Sequence, residues 1–247
     1  MQPLRPTPDE ARLLHARDAL DRIEAQLEGG STELADLGFW TIVASIKRDA
    51  VWVIELADQV GRIDRELFRA RVRQRAPVWL GTATMILVIL VGVAAIVLSG
   101  VWTGVAAGIA LLVAGGAWSV GVHSPAHQVY AWFAGIGITD YFLGGPPPPR
   151  PGVKTEYASY LRADASRRAW FHASGALATK VAPFVAVALA PLTNAPGWAV
   201  IAMAAFGVLQ IATDVVFSTR TSDWKKYRRE RAIAREGRRV EIRGYPS

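Results

Sequence analysis

The 247-residue chain has no cysteine and only four histidines. Without thiols it can form no disulfide, offer no thiolate to a metal and use no cysteine nucleophile. Any transition metal it holds must therefore be held by imidazole nitrogen and carboxylate oxygen. Acidic residues are also outnumbered, with 21 Asp and Glu against 28 Lys and Arg, for a formal net charge of +7. Residues Met1 to Arg22 are polar and charged, and the missing apolar stretch predicts no cleaved signal peptide. No nucleic-acid-binding motif accompanies the positive charge, so nucleic acid is not an expected partner. Much of the Arg and Lys flanks apolar runs instead, which points to membrane topology and anionic lipid.

What the chain does have is apolar sequence, 51% of its residues being hydrophobic. Together with a mean hydropathy of +0.22, this fits a small integral membrane protein with polar ends. Four runs reach the roughly 20 residues needed to cross a bilayer. They are Val78 to Ser99, Val101 onward past Trp132 and Phe133, Ser174 to Leu192, and Gly197 to Phe217. Gly104, Gly108, Gly115, Gly116 and Gly121 in the second would permit close helix contact. Arginines from Arg62 to Arg75 precede the first run. Arg150, Lys154, Arg162, Arg167 and Arg168 separate the second from the third, and Arg220, Lys225, Lys226, Arg228, Arg229 and Arg231 follow the fourth. Basic flanks stay inside. Both termini and the middle loop are therefore expected in the cytoplasm, in a membrane of the bacterial inner-membrane type.

Ahead of the spans, Leu13, Leu14, Leu20, Ile23 and Leu27 recur at helical spacing between Pro8 and Glu28, and Gly29-Gly30 ends that helix. Ser31 or Thr32 could cap the next helix, expected over Glu33 to Arg75. Its apolar centre is interrupted by Lys47, Arg48 and Asp49. The charges exclude a span. They leave a hairpin on the cytoplasmic face or in the interface, or equally a soluble partner-binding helix. After the second span, Gly135 to Gly145 reads as a short β-prone segment and Pro146 to Pro149 as a stiff connector. The expected fold is an all-α membrane protein with four transmembrane helices. It comprises a helical hairpin over residues 1–76, a membrane domain over 77–219 with a cytoplasmic loop over 135–173, and a basic tail over 220–247.

The stretch with most chemistry is His123-Ser-Pro-Ala-His127. Histidines four apart share one helix face and can offer two imidazoles to one metal. Counted inward at 1.5 Å per residue, His123 lies roughly 30 Å along the second span and Asp214 about 26 Å along the fourth. Equal depth makes His123, His127 and Asp214 a candidate three-ligand set for zinc, leaving a position for water; cobalt or iron would also fit. Two bland readings stay open. The histidines could be interfacial polar residues, and Asp214 could form a buried ion pair with Lys180. Lys180 could instead stand beside a metal-bound water. Pro125 would remove a helix donor and could kink the helix between the histidines. His172 and Asp140 are further polar candidates at loop positions that are usually solvated.

These residues resemble the site-2 protease family of intramembrane zinc metalloproteases. His123-Ser-Pro-Ala-His127, the stretch to Gly135-Ile-Gly-Ile, and Gly144-Gly145 resemble that family's His-Glu-x-x-His helix and the glycine-bearing β segment after it. Ala173-Ser-Gly-Ala-Leu-Ala-Thr179 resembles its Ala-Gly-Pro-x-x-Asn region, with Thr179 at the asparagine. Asp214 stands where the family has its aspartate ligand, without the usual Asn-Pro and Asp-Gly surroundings. The resemblance spans about residues 78–220 and implies zinc on His123, His127 and Asp214. It also implies a missing general base, because Ser124 replaces the glutamate and a serine hydroxyl is not a base at neutral pH. The chain would then be impaired or inactive as a peptidase, and could hold or hide a client transmembrane helix. The alternative is a non-enzymatic accessory or scaffold subunit of a larger membrane complex.

Overall fold

The structure, a computed structural model, describes residues 7–30, 38–144, 150–216 and 222–244. The capping candidates Ser31 and Thr32, the connector Pro146 to Pro149, and Phe217 and Arg220 lie outside the described residues.

The chain begins with α1 (Pro8–Glu28), where Thr7 and Glu10 cap each other's backbone N–H groups. The helix expected from Glu33 to Arg75 is instead two helices and a strand: α2 (Phe39–Ile46), α3 (Ala50–Arg71) and β1 (Arg75–Pro77). The break falls at the charged Lys47-Arg48-Asp49. Asp49 turns its carboxylate onto the N–H groups of Val51 and Trp52 and so starts a new helix rather than continuing the old one. Leu20, Ile23, Phe39, Val43, Ile46, Leu56, Val60 and Ile63 form a buried core shared by the three helices. Of the α1 positions expected to be apolar contacts, Leu14 is exposed.

Among the described residues, four helices are long and apolar enough to cross a membrane. The first is α4 (Val78–Val101). The second candidate, Gly104–Ala134, consists of α5 (Gly104–Gly121) and α6 (His123–Ala134) joined at Val122. Pro125 has no N–H to give the Gly121 carbonyl. The interruption therefore falls just ahead of the proline, which then sits harmlessly in the first turn of α6. Gly135, at φ 71°, ends α6 in the left-handed conformation that glycine adopts without strain. The third candidate contains α8 (Ala165–Leu189), which begins nine residues before the expected Ser174, and a 3-10 turn to Leu192. The last is α9 (Gly197–Val216). Leu87, Val97, Val105, Ile201 and Leu209 on these helices are exposed, as a lipid-facing surface requires. The short turns at one end are tied together, Asn194 donating through Nδ2 to the Gly100 carbonyl at 2.7 Å.

At the other end, β2 (Ile138–Gly144) and β3 (Arg150–Thr155) complete an antiparallel sheet of order β1-β2-β3. The β-prone reading of 135–145 thus corresponds to β2. Gln128 of α6 fastens the sheet to the bundle, accepting at Oε1 from Thr82 (2.9 Å) and from Tyr141 (3.1 Å). The short helix α7 (Tyr157–Arg162) packs on α3, and α10 (Asp223–Gly244) folds back along α8. The basic tail is thus a helix from Asp223 onward.

The helices meet where side chains are missing. A Cβ on Gly92 would overlap the Trp118 ring, which is anchored by its Nε1–H to the Ile89 carbonyl at 3.1 Å. Gly115 faces Met203 in the same way, whereas Gly116 has open space beside it. We expect Gly92→Ala to cost about 1–3 kcal/mol through overpacking. Gly116→Ala should be neutral or slightly stabilising. Thermal unfolding of the two variants in detergent checks the contrast.

Candidate metal centre

The two sequence-predicted histidines do converge, but on a different acid. His123 and His127 both lie 3.5 Å through Nε2 from Oδ2 of Asp223, at the start of α10. The three residues form a group whose ligand atoms lie within 4.8 Å of one another. Asp214 is elsewhere: its carboxylate pairs with Lys180 Nζ at 2.5 Å. The candidate group thus contains Asp223 where Asp214 was expected, and Asp214 forms the ion pair with Lys180 that was the other expectation for it. Lys180 follows Thr179, which touches His123.

The helix α8 prepares both imidazoles. Thr179 donates its hydroxyl to the Gly175 carbonyl at 3.0 Å, so it accepts from His123 Nδ1–H at 2.9 Å. His127 Nδ1 lies 2.7 Å from the Phe171 carbonyl, which can only accept, so this nitrogen also carries the proton. Ser174 flanks it, donating to the same carbonyl at 2.7 Å. In the neutral rings this leaves both Nε2 atoms with a lone pair facing Asp223. A hydrogen-bond partner on the far ring nitrogen that fixes the tautomer in this way is the usual support of a metal-bound histidine. The approach needs Gly175, since a Cβ there would overlap the His127 ring.

The acid is ionised. Burial opposes the charge on Asp223, and the Lys226 ammonium 3.4 Å from Oδ1 favours it. Two lone pairs and a carboxylate oxygen facing one another repel unless something positive lies among them. The separation of 3.5 Å exceeds the ~2.7–2.9 Å of a charge-assisted hydrogen bond. It is close to the roughly 3.3 Å edge of a tetrahedron with metal–ligand bonds near 2 Å. The donor set thus fits a divalent cation.

The other sequence candidates divide. His172 joins the margin of the site, with Nδ1 3.9 Å from Asp223 Oδ1 and Nε2 2.8 Å from the Tyr160 hydroxyl. Contrary to the solvated reading, it is buried. Ser124 is fully buried, and its Oγ has no hydrogen-bond partner among the described residues. It touches neither imidazole with a hydrogen bond and offers no base. Asp140 lies in β2, in register with Pro77 and Lys154, outside the group. Asp223 itself escaped the sequence reading because the tail was read only for positive charge. The available signal was a pair of acids, Asp223 and Glu230, seven apart on one face of a basic helix.

Glu230 lies two turns beyond Asp223 and is nearly fully buried, 2% exposed. It receives Lys47 Nζ at Oε1 and Arg168 Nε at Oε2, each at 2.7 Å, and the Tyr160 hydroxyl at 3.2 Å. Burial acts to raise its pKa, but these cations prevail and hold it below the normal value of 4.5. A carboxylate lowered on folding adds stability above its unfolded pKa and loses it as pH falls through the folded one. We therefore expect the thermal midpoint to drop as pH falls below 4.5, with the drop smaller in Glu230→Gln; a pH series of melts tests this.

The chain matches no protein-family model, no curated protein and no solved structure, so the chemistry of this site is read from its own residues.

Proposed function

We propose that this chain is a divergent, site-2-protease-like membrane protein that holds a divalent cation, zinc foremost, on His123, His127 and Asp223 and does not work as a peptidase. One observation carries the reading: two imidazoles with their Nδ1 protons committed to Thr179 and Phe171 face one ionised carboxylate with bare Nε2 atoms. The order of elements supports the family likeness. The histidine helix is followed by a small sheet, and the Ala173 to Thr179 stretch lies against the histidines. The change of acid from Asp214 to Asp223 makes the likeness divergent. Bound zinc would supply a Lewis acid and acidify a water. Hydrolysis would still need a base. Ser124 is not one, and Glu230 is committed to Lys47 and Arg168. The reading is therefore of a retained metal site that organises the cytoplasmic end of the bundle, with a client transmembrane helix as the expected partner. The basic flanks support cytoplasmic termini in a cell membrane of the bacterial inner-membrane type.

A second reading is an accessory or scaffold subunit in which Asp223 only anchors α10. It is favoured by Lys226 Nζ at 3.4 Å from Asp223 Oδ1, which could neutralise the acid without a metal. The two readings differ in a measurable quantity. Protein purified in detergent should carry about one zinc per chain on the first reading. Asp223→Ala and the His123→Ala, His127→Ala double variant should lose it, and Asp214→Ala should keep it. A metal-free wild type would establish the second reading. Loss in Asp214→Ala with retention in Asp223→Ala would return the ligand role to the fourth span.

A further inference from the structure

The acid of the candidate centre arrives on a helix that is held from somewhere else. Asp223 and Glu230 are seven residues apart, about 10.5 Å along the axis of α10, and share a face. Asp223 meets the histidines, and Glu230 enters a buried pocket built from three parts of the chain. Lys47 comes from the end of α2, where the N-terminal helices break. Arg168 comes from the first turn of α8, and its Nη1 also donates to the carbonyls of Leu161 (3.0 Å) and Ala163 (2.7 Å). Its Nη2 reaches the Lys47 carbonyl at 3.4 Å. Tyr160 comes from α7, with its ring 4.8 Å from Lys47 Nζ. Arg168 and Tyr160 are each 3% exposed. Three donors thus converge on Glu230, and two more bonds from Arg168 lock the loop that presents it.

Tyr160 donates to Glu230 at 3.2 Å, so at 2.8 Å it accepts from His172 Nε2–H. His172 Nδ1 stands 3.9 Å from Asp223 Oδ1, beyond hydrogen-bond distance. The link from Glu230 to Asp223 is therefore α10 itself, which carries both acids.

We infer that Glu230 is the positioning residue of the metal centre, docking α10 so that Asp223 reaches His123 and His127, and that Lys47 places this docking under the control of the N-terminal helices. The inference rests on the metal reading above. Removing Glu230 leaves Lys47 and Arg168 buried without their counter-charge, so α10 is displaced and Asp223 with it. Removing Lys47, far from the histidines, has the same effect through the same residue.

The test combines metal affinity with a measurement that needs no metal. Zinc affinity is determined by chelator competition for wild type, Glu230→Ala, Glu230→Gln, Lys47→Met, Asp223→Ala and the Glu230→Ala, Asp223→Ala double variant. Outer residues that orient ligands typically change affinity roughly 10–100-fold, and that loss is expected for Glu230→Ala and Lys47→Met. Asp223→Ala should keep only the weak residual affinity of the two histidines, too weak to hold zinc through purification but measurable in the titration, and Glu230→Ala should not lower it further, because the ligand it positions is already gone. A purely structural residue would instead add its loss in both backgrounds. Arg17→Ala, which breaks a surface pair with Glu55, should leave affinity unchanged. Because the chain has no cysteine, Trp170→Cys with Tyr227→Cys gives a clean probe of α10 on α8 in intact membranes. Those rings are 5.7 Å apart, and a short bismaleimide should join the pair in wild type and less in the Glu230 and Lys47 variants. Additive losses, or wild-type affinity in Glu230→Gln and Lys47→Met, overturn the inference, as does a lowered cross-link without a change in affinity. A wild type that takes up no zinc overturns the proposed function instead. The cross-link then decides alone, an unchanged yield removing the docking role and a lowered one upholding it.

Discussion

The candidate centre depends on how closely α8 approaches α6. At Gly175 the α8 backbone takes the space a side chain would occupy, and the His127 imidazole fills it. From that contact follow the Phe171 carbonyl on His127 and the Thr179 hydroxyl on His123. One helix thus supplies the electron pairs and its neighbour decides where they point. With both Nδ1 atoms occupied, rotation of either ring would break a hydrogen bond, and for the buried His127 the loss would be on the order of 1–3 kcal/mol. The geometry is prepared before any cation is considered, and it is prepared by backbone and small residues.

Burial sets the second constraint. Charged groups removed from water cost several kcal/mol each unless they are paired and hydrogen-bonded. The described structure answers this at three depths. Lys180 and Asp214 pair on the membrane helices. Lys47, Arg168 and Glu230 form a cluster at the junction of α2, α8 and α10. Lys154 and Asp64 pair beneath the sheet, where burial pulls the Asp64 pKa up against the attraction of Lys154. The pairs join elements distant in sequence, so each also selects which helix lies against which. The N-terminal helices, which share a core of their own, are coupled to the remainder partly through such pairs.

Much of this was legible in the sequence. Run length and flanking charge gave the four spans, because bilayer thickness imposes a length that composition alone reveals. Spacing gave the histidine pair, and the stretch from Ala173 to Thr179 proved to be the wall behind it. The helix breaks were harder. Pro125 stood in plain view, yet whether a proline bends a helix or divides it depends on what satisfies the freed carbonyl. The charges at 47–49 excluded a span but did not announce Asp49 as a cap. Asp223 and Glu230, seven apart on one face of a basic helix, mark α10 as having a side to bury, but which helix covers that side is a tertiary event that spacing does not encode. Asp214 is taken by Lys180.

The distance along the chain between the two histidines and their acid has a consequence in time. About a hundred residues separate His127 from Asp223, and at ~5–20 residues per second a ribosome takes roughly 5–20 s to make them. During that interval the histidine helix can already be in the bilayer, with Asp214 and Lys180 joining later and Asp223 later still. The N-terminal helices that supply Lys47 are finished long before. Asp223 and Glu230 both lie on α10, with Asp223 the earlier of the two. Neither the candidate centre nor the Glu230 pocket can therefore close before that helix has been made, however early the histidines are in place.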